Sequence, residues 1–361
     1  MNKPRIRFVY RFNYLTEVLP HLREPGRAPM DFLYGMNAVD ERRFETSYVN
    51  APQGPRADAW RRFFYPFEWL ITWFSRLGCP FELPFLFPQL KTDEILFGVN
   101  DAIGFALLFW KRLGVIKGRV YLIAQGAHER CRKHFRVSWL TRRFIGWLLR
   151  AADGVFVLAQ CARLPIADYF GVDQSRIHYF PFVGDGDFWT PAPTEAREDF
   201  LMSIGNDFNR DYRTLVNALR ADEHAVIITA KPVATEGKQV EVKNGLSNEA
   251  VRDHFRRAAA VIIPSEHVVF ESAGYSSAFQ AALTGAPLIV SDSPPMREVF
   301  TEWEQALFYE AENAVALRRV LDRAAAHPDE MHAMGMRARE RMLALHRARP
   351  DARTLENVIS R

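Results

Sequence analysis

The sequence predicts two α/β domains, each a doubly wound parallel sheet, with a cleft between them. Apolar strand-like runs alternate with helical patterns over most of the 361 residues, which is the arrangement of βαβ units. A chain of this length can form two cores of ordinary size. The stretch Gly184–Asp199, rich in turn formers and charge, interrupts the alternation and predicts an interdomain linker.

The strand candidates are short apolar runs spaced by helical patterns. In the first half they are Ile6–Tyr10, Thr46–Val49, Glu94–Phe97, Val120–Ile123, Val155–Leu158 and Ile177–Phe180. In the second half they are Phe200–Ile204, Ala225–Thr229, Val240–Val242, Ala260–Ile263, Pro287–Val290 and Leu307–Tyr309. From Ala314 to about Arg347 the pattern is helical throughout, with a break at His327–Pro328.

The composition is that of a soluble globular protein, with 48% hydrophobic and 25% charged residues. Residues 111–150 hold eleven basic residues and one acidic residue, Glu129, although the net charge is only +4. The three cysteines, an odd number without a CxxC pair, argue for reduced thiols and against a disulfide framework or a zinc site. We expect neither a signal peptide nor a transmembrane helix, because the longest uncharged run near the middle, 102–110, is too short to span a bilayer.

One stretch of the second half predicts an anion site. The sequence FESAGYSSAFQAALTGAPLIVSD, Phe270–Asp292, runs from a loop through a helix to a buried strand. The helix begins with Gly274 and small residues, which leave its first backbone N–H groups open to an anion. The helix dipole contributes only about 0.3–1 kcal/mol there, so a nucleotide diphosphate should also need cationic side chains. Tight packing of the helix on its sheet would explain the same small residues.

Four segments in order resemble the family-4 retaining glycosyltransferases of the GT-B fold. Two of them, AADGVFVLAQ…FWTP and FLMSIGNDFNRDYRTLVNAL, are similar to the end of the family's first domain and the start of its nucleotide-sugar domain. AAAVIIPSEHVVFESAGYSSAFQ…MREVF resembles the family's carboxylate-bearing block, and ENAVALRR…RERM resembles its helical end. The segments are Ala151–Pro191, Phe200–Leu219, Ala258–Phe300 and Glu312–Met342.

The resemblance implies a GT-B fold, with two Rossmann-like domains facing each other across a cleft. The implied domains are 1–190 on the acceptor side, 191–340 for the nucleotide sugar, and a helical tail, 341–361, that returns towards the first domain. It further implies retaining, metal-independent hexosyl transfer from a UDP- or GDP-sugar to a glycan or lipid-linked acceptor in the assembly of cell-surface polysaccharide or glycolipid. A cytoplasmic enzyme without a nucleic-acid partner is expected.

The family's two donor-binding carboxylates, eight residues apart, fall on Ser272 and Gln280 of this sequence. Glu271 lies one residue from the first place. Gln280 keeps an acceptor oxygen for a ribose hydroxyl, without the stronger charge-assisted bond of a carboxylate. The resemblance therefore makes Glu271 a catalytic candidate and places Ser272, Gly274, Tyr275, Ser276 and Gln280 at the donor.

The family's phosphate-binding cations also differ here. Asn206 follows Gly205 where the family has an arginine. Arg210 is the best candidate for the diphosphate, because a guanidinium can bind two phosphate oxygens at once. Arg213 and Lys231 are the reserves, and a solvent-exposed arginine at the start of a helix remains the alternative for Arg210.

On the first domain, His128 follows the predicted strand Val120–Ile123, where family members often carry a histidine near the donor sugar. The Gly-Gly loop common in the family is missing, and only Gly35 stands at the head of its helix. The sequence Asp185–Asp187 resembles a metal-binding DxD motif, but its place in the linker predicts a turn. No metal site is expected.

Two other functions stay open. The same fold class includes nucleotide-sugar epimerases. Because Asn206, Ser272 and Gln280 replace the family's residues, a non-catalytic nucleotide-sugar-binding protein is also possible.

Two segments dense in aromatic and basic residues predict contact with a membrane. They are Ala59–Pro88, with Arg61, Arg62 and Arg76, and Ser138–Arg150, with Arg142 and Arg143. Aromatic rings at headgroup depth and cations near anionic lipid are features of interfacial helices. Ala59–Pro88 is the stronger candidate, because its prolines are expected to break any long core helix; an ordinary core would explain Ser138–Arg150 as well. Weak peripheral binding to the inner face of the cytoplasmic membrane is the expectation.

Overall fold

The computed structural model describes residues 3–10, 17–22, 24–50, 55–75, 78–133, 138–192 and 197–360. The chain divides into two compact units. Unit 1 takes the described residues of Met1–Pro20, Leu33–Pro181 and Pro350–Arg361. Unit 2 takes those of His21–Phe32 and Phe182–Arg349.

Unit 1 is built on a parallel sheet whose described strands follow the order β2-β1-β3-β4-β5-β6. Its strands are mostly buried on both faces, which is expected of a parallel sheet covered by helices. The strands are β1 Arg5–Tyr10, β2 Glu45–Asn50, β3 Ile95–Gly98, β4 Arg119–Ala124, β5 Gly154–Val157 and β6 Ile177–Tyr179.

Unit 2 has a second parallel sheet, in the order β12-β11-β10-β7-β8-β9 for the residues described. This is the strand order of a Rossmann fold. The strands are β7 Leu201–Ile204, β8 His224–Ile228, β9 Gln239–Lys243, β10 Ala260–Ile263, β11 Leu288–Ser291 and β12 Leu307–Tyr309. Each strand predicted from the sequence, in both units, is confirmed within one or two residues.

Helices connect the strands. Those of unit 1 are α1 Pro55–Ser75, α2 Leu83–Leu86, α3 Asp101–Arg112, α4 Ala127–Lys133, α5 Ser138–Leu149 and α6 Arg163–Phe170. Those of unit 2 are α7 Tyr212–Ala218, α8 Asn248–Arg257, α9 Tyr275–Leu283, α10 Pro294–Val299, α11 Ala314–Ala326 and α12 Pro328–Ala348. The last helix, α13 Pro350–Ile359, belongs to unit 1. No described helix is long and apolar enough to cross a membrane.

Two expectations about helices are wrong. The residues after Gly35 form only a three-residue 3₁₀ helix, Met36–Ala38, in place of the helix expected there. Prolines do not prevent a long helix in Ala59–Pro88, because α1 runs for 21 residues through Pro66. Pro66 lies on the exposed side, where water can solvate a backbone carbonyl that has lost its N–H donor.

Aromatic packing holds the inner side of α1. Trp60 stacks on Phe85 of α2, with ring centroids 5.0 Å apart. Phe64 and Phe67 contact Trp110 and Phe109 of α3, at 5.9 and 5.2 Å. Aromatic pairs contribute about 0.5–1.5 kcal/mol each beyond the burial of their area, which offsets the cost of a proline inside the helix.

In unit 2, a glycine lets α12 approach the C-terminal end of α9. A Cβ on Gly335 would lie 2.4 Å from the carbonyl oxygen of Gly285, just beyond that end. This distance is below van der Waals contact, so only glycine fits without a shift of backbone. The packing of α12 therefore fixes the end of the helix whose beginning carries the predicted anion site.

Gly335→Ala should lower the melting temperature. Helix propensity alone would favour alanine by about 1 kcal/mol, but overpacking against backbone costs about 1–3 kcal/mol. Ala333→Gly, at an exposed position of the same helix, measures the propensity term alone. Thermal denaturation of both variants checks this, and a raised melting temperature for Gly335→Ala would contradict the packing.

Candidate functional site

The candidate site lies in unit 2 at the switch point of its sheet. Connections leave β7 and β10 in opposite directions, and ligands of doubly wound sheets bind beyond the carboxyl ends of two such strands. The loop 205–211 follows β7, and the loop 264–274 follows β10 and leads into α9. These loops hold the residues that the sequence assigns to the diphosphate and to the donor sugar.

Backbone hydrogen bonds hold the two loops together. The Asp211 N–H donates to the Pro264 carbonyl at 3.1 Å, and the Glu266 N–H donates to the Asn209 carbonyl at 2.8 Å. The Ser265 N–H donates to Ser291 Oγ at the end of β11, at 2.8 Å. The loops therefore form one connected layer over the ends of three strands.

Arg210 lies inside this layer. Its side chain is 1% exposed, and Nε lies 3.2 Å from Asp207 Oδ2. Nη2 donates to Ser277 Oγ of α9 at 3.0 Å. Among the residues described, neither the buried Nη1 nor Nε makes a hydrogen bond, and only Nε has a carboxylate beside it. A buried charged donor that lacks an acceptor costs several kcal/mol. Nη1 thus identifies a place where an anion would be stabilised.

Two glycines make room for the Arg210 guanidinium. A Cβ on Gly205 would lie 2.1 Å from Nε, and one on Gly274 would lie 2.8 Å from Nη1. Both residues also adopt positive φ, 146° and 83°, a region that glycine enters without strain. The guanidinium therefore lies directly against the start of α9.

The start of α9 offers free N–H groups beside this charge. Gly274 is its N-cap and, having no side chain, supplies no capping group. The Tyr275 N–H bonds to the Ser272 carbonyl at 3.2 Å, and the first i→i−4 bond of the helix is made by Ala278. The N–H groups of Ser276 and Ser277 precede that bond and have no partner within the helix. An anion at this end would be favoured by the helix dipole and by Arg210 together.

The Tyr275 side chain has a structural contact. Its hydroxyl donates to the Pro295 carbonyl at 2.6 Å, and its ring packs on Phe279 with centroids 5.6 Å apart. The backbone of Tyr275, rather than its side chain, is therefore what lies at the candidate anion position.

Asn206, in the place of the family's arginine, binds the protein itself. Its Oδ1 accepts from the Ala230 N–H at 2.6 Å and lies 3.1 Å from Thr229 Oγ1. The Gly205 carbonyl accepts from the Tyr212 hydroxyl at 2.6 Å. Lys231 Nζ donates to the Asp207 carbonyl at 3.1 Å, which brings a second cation to the loop that carries Arg210.

Glu271 and Ser272 differ in exposure. Glu271 is buried, and its carbonyl accepts from the Ala273 N–H at 2.8 Å. Ser272 is half-buried and immediately precedes the turn into α9. Both lie in the loop after β10, but Ser272 is the more accessible of the two.

Gln280 contacts a buried carboxylate from a distant part of the chain. Its Nε2 donates to Asp31 Oδ2 at 3.3 Å. The same oxygen accepts from Trp189 Nε1 at 2.7 Å, and Asp31 Oδ1 accepts from the Asp185 N–H at 2.7 Å. The amide of Gln280 therefore serves as a donor to Asp31, which explains on physical grounds why position 280 carries an amide instead of a second carboxylate.

Burial first, and the nearby Asp185 carboxylate second, raise the pKa of Asp31 from 3.8 to about 6. The hydrogen bonds from Trp189, from the backbone of Asp185 and from Gln280 act in the opposite direction and favour the charged form. Asp31 thus holds its proton more tightly in the folded chain than in the unfolded one.

Asp185–Gly186–Asp187 forms a turn, as expected. Asp185 Oδ1 accepts from the N–H groups of Asp187 and Phe188, at 3.0 and 3.2 Å, and Oδ2 accepts from Met30. Possible ligand atoms of Asp185, Asp187 and His346 lie within 4.8 Å of one another. Both oxygens of Asp185 accept hydrogen bonds in and around the turn, and Asp187 Oδ2 lies 3.4 Å from His346 Nε2. The expectation of no metal site stays a prediction.

His128 lies in unit 1, at the start of α4 and after β4, where the sequence places it. Its ring contacts the Tyr169 ring edge-on, with centroids 4.5 Å apart, and Nδ1 lies 3.6 Å from Glu129 Oε1. The histidine is largely buried. Its role towards a donor sugar stays a prediction. Arg76, one of the cations named with the aromatic segment, lies outside the described residues.

Sequence reasoning missed three residues of the site. Ser277 accepts a hydrogen bond from the Arg210 guanidinium, Asp207 forms an ion pair with it, and Asp31 accepts a hydrogen bond from Gln280. Ser277 lies in the first turn of α9 and Asp207 lies three residues before Arg210, so both could have been proposed from their positions in the sequence. Asp31 lies 249 positions from Gln280, and no local pattern in the sequence links the two.

Comparison with known proteins finds a family model and solved structures that are similar to this chain. Residues 210–357 match the family model of glycosyl transferase-like proteins. Sucrose-phosphate synthase from Thermosynechococcus elongatus is 12% identical with a TM-score of 0.69, covering 99% of this chain and 98% of that chain. Anabaena HepE with UDP and glucose is 9% identical with a TM-score of 0.69, covering 99% and 100%. A glycosyltransferase from Rickettsia africae is 12% identical with a TM-score of 0.58, covering 99% and 98%. No curated protein matches by sequence.

The fold class predicted from the sequence is confirmed. Two Rossmann-like α/β domains with parallel six-stranded sheets, in the residues described, place the chain in the GT-B fold. The family match begins at Arg210 and covers the described site from α7 onward. It does not reach β7, Gly205 or Asn206.

The stability that Asp31 contributes should fall with rising pH. Because its folded pKa is raised to about 6 from 3.8, the contribution is complete below about pH 4 and is lost as the pH rises through 6, a change of about 3 kcal/mol. The measurement is the unfolding free energy of the wild type minus that of Asp31→Asn, from pH 4 to 7.5. A difference that stays constant or rises with pH would contradict the raised pKa.

Gln280→Glu should destabilise the protein at pH 8, on the order of 1–3 kcal/mol, because it places a second carboxylate beside Asp31. The effect should shrink at pH 5, where one of the pair binds a proton. Exchanging the groups in Asp31→Asn/Gln280→Glu restores one amide and one carboxylate, and should recover much of the loss. Thermal denaturation of the wild type and of these two variants at both pH values checks this, and an unchanged melting temperature for Gln280→Glu at pH 8 would refute it.

Proposed function

We propose that this protein is a glycosyltransferase that moves a hexosyl group from a nucleotide diphosphate sugar to an acceptor hydroxyl with retention of configuration. One observation carries the proposal: the Nη1 donor of Arg210, buried without an acceptor in the described residues, lies against the free N–H groups at the start of α9. A cation and a helix N-terminus at the switch point of a Rossmann-like sheet suit the diphosphate of such a donor.

The chemistry is stabilisation of a leaving group. The bond between the anomeric carbon and the β-phosphate oxygen breaks, and the acceptor oxygen bonds to that carbon on the same face. The acceptor's proton passes to the departing phosphate oxygen, so the protein need not supply a covalent nucleophile. Positive groups placed before the reaction starts stabilise the charge that develops on the diphosphate. Arg210, with Lys231 at the same loop, fits this role.

Other donor contacts follow from positions in the loops. Ser272 and Ser276 are half-buried at the start of α9 and can hydrogen-bond phosphate or sugar oxygens. Glu271 is the carboxylate nearest to this turn in sequence and is proposed to face the donor sugar. Gln280 is proposed to reach a ribose hydroxyl through Oε1, since its Nε2 is engaged with Asp31. Structural neighbours solved with UDP and UDP-glucose make UDP-glucose the first donor to test.

We further propose that no metal takes part, because the cations at the site are protein side chains. The acceptor is proposed to be a glycan or a lipid-linked sugar, in the assembly of surface polysaccharide or glycolipid on the cytoplasmic side of the membrane. Assays with EDTA test the first point, and screening of soluble against lipid-linked acceptors tests the second.

Arg210→Ala should weaken UDP binding at least about tenfold, which corresponds to about 1.4 kcal/mol. Arg319→Ala is the matched control, because Arg319 is exposed on α11, outside both loops of the site, and its loss removes the same charge. Isothermal titration with UDP, at a temperature where circular dichroism shows both variants folded, gives the comparison. Some loss of thermal stability is expected in Arg210→Ala, since Asp207 and Ser277 lose their partner.

Equal UDP affinity in Arg210→Ala and the wild type would remove Arg210 from the site. Release of UDP from UDP- and GDP-sugars, measured with EDTA present, separates the remaining functions. A wild type that binds UDP but never releases it from a donor is a binding protein. One that changes the sugar without releasing nucleotide is an epimerase.

A further inference from the structure

The water-facing side of α1 is apolar, contrary to the usual pattern of a surface helix. At 100° per residue, its exposed positions 55, 58, 59, 62, 63, 65, 66, 69, 70 and 73 fall within an arc of about 160°. The large apolar side chains on this arc are Phe63 (72% exposed), Tyr65 (63%), Trp69 (57%), Leu70 (49%) and Trp73 (58%). We call these five residues the aromatic face.

The core of unit 1 does not need the aromatic face. The inner side of α1 already packs through Trp60, Phe64 and Phe67 on α2 and α3. Side chains of this size that are about half to three-quarters exposed leave apolar area in water, where a soluble helix normally carries polar groups. Tyr65, Trp69 and Trp73 recur every four residues, so they form a continuous stripe along the helix.

A neighbouring helix extends this surface with the same two kinds of residue. Helix α5 contacts α1. It exposes Trp139 (65%) and Leu140, together with Arg142 and Arg143. Arg142 donates to the Tyr169 carbonyl and its guanidinium lies 4.6 Å from the Tyr169 ring centroid, so its charge stays fixed near the surface.

The charges around the aromatic face are mainly positive. Arg62 is exposed in the middle of the arc. The two nearest acids form ion pairs with Arg61. Asp58 Oδ1 lies 3.4 Å from Arg61 Nη1, and Glu82 Oε1 lies 3.4 Å from Arg61 Nε. Glu68 is half-buried and lies about 60° outside the arc. Arg62, Arg142 and Arg143 thus outnumber the exposed acid of α1 and α5, Asp58.

We propose that the aromatic face and the adjacent basic residues of α5 dock on an anionic lipid surface. Trp and Tyr rings have an apolar body and a polar edge, which suits the depth of lipid headgroups. Arginines hold their charge at that level while their stems lie on apolar surface. Anionic headgroups complement the positive rim.

A second copy of the chain fits this surface less well. Two-fold self-association brings the same patch of each copy together, so the basic residues of one copy would approach those of the other. An anionic bilayer has no such repulsion. Lipid is therefore the occupant that both the apolar composition and the charge favour.

The test is flotation of the full-length protein with vesicles of phosphatidylcholine, with and without phosphatidylglycerol, at low and at high salt. The wild type should float with the anionic vesicles at low salt, and far less with neutral vesicles or at high salt. Trp69→Glu/Trp73→Glu should reduce the floated fraction about tenfold, since a charge at each position opposes insertion. Val315→Glu is the matched control, because Val315 is 63% exposed on α11 of unit 2.

Arg62→Gln/Arg143→Gln gives a second, milder variant, which leaves the aromatic face intact. It should lower binding to anionic vesicles and make the remaining binding less sensitive to salt. It also keeps the proposal testable if the double glutamate variant does not fold.

Three results would overturn the proposal. The first is absence of wild-type binding to anionic vesicles at low salt. The second is an equal loss of binding in Val315→Glu, which would show that the aromatic face is not specific. The third is a wild-type dimer in light scattering that Trp69→Glu/Trp73→Glu dissociates, because the face would then join copies of the chain.

A membrane-borne acceptor follows if the proposed transferase activity also holds. Vesicle flotation does not depend on that activity, so the two ideas can fail separately. If the protein binds vesicles but transfers no sugar, the proposed docking surface is supported and only the proposed transferase function is refuted.

Discussion

The buried guanidinium of Arg210 is the constraint on which the candidate site depends. It can occupy its position only because Gly205 and Gly274 lack a Cβ and because two loops are hydrogen-bonded into one layer. Ser277 accepts a hydrogen bond from Nη2 and Asp207 forms an ion pair with the guanidinium, whereas Nη1 faces the start of α9 without an acceptor in the described residues. The strand order, the pairing of the two loops and the two glycines together hold the Arg210 charge at the start of α9.

The same sheet geometry explains the residues that depart from the family pattern. Asn206 bonds the turn after β8, so that position tightens the loop layer instead of supplying charge. Gln280 donates to Asp31, a carboxylate whose burial already raises its pKa to about 6. A second carboxylate at 280 would add repulsion where there is little solvent to screen it. Both replacements form hydrogen bonds within the chain at the candidate site, Asn206 with Ala230 and Gln280 with Asp31.

Much of the fold could be predicted from the sequence, because each parallel strand is a short apolar run between turn formers. The position of Arg210 after β7, and of Gly274 before α9, followed from the same alternation. The partnership of Asp31 with Gln280 and Trp189 could not, since it joins positions far apart that share no local pattern. The prediction that prolines break any long helix in Ala59–Pro88 is wrong. Aromatic packing by Trp60, Phe64 and Phe67 outweighs the destabilising effect of Pro66 on the helix.

The most direct test is a crystal structure of the protein with UDP, from crystals grown with UDP or soaked in it. The account predicts a phosphate oxygen within hydrogen-bond distance of Arg210 Nη1, and a second one facing the N–H groups of Ser276 and Ser277. UDP bound with its phosphates away from the start of α9, and Arg210 Nη1 without a phosphate acceptor, would contradict it.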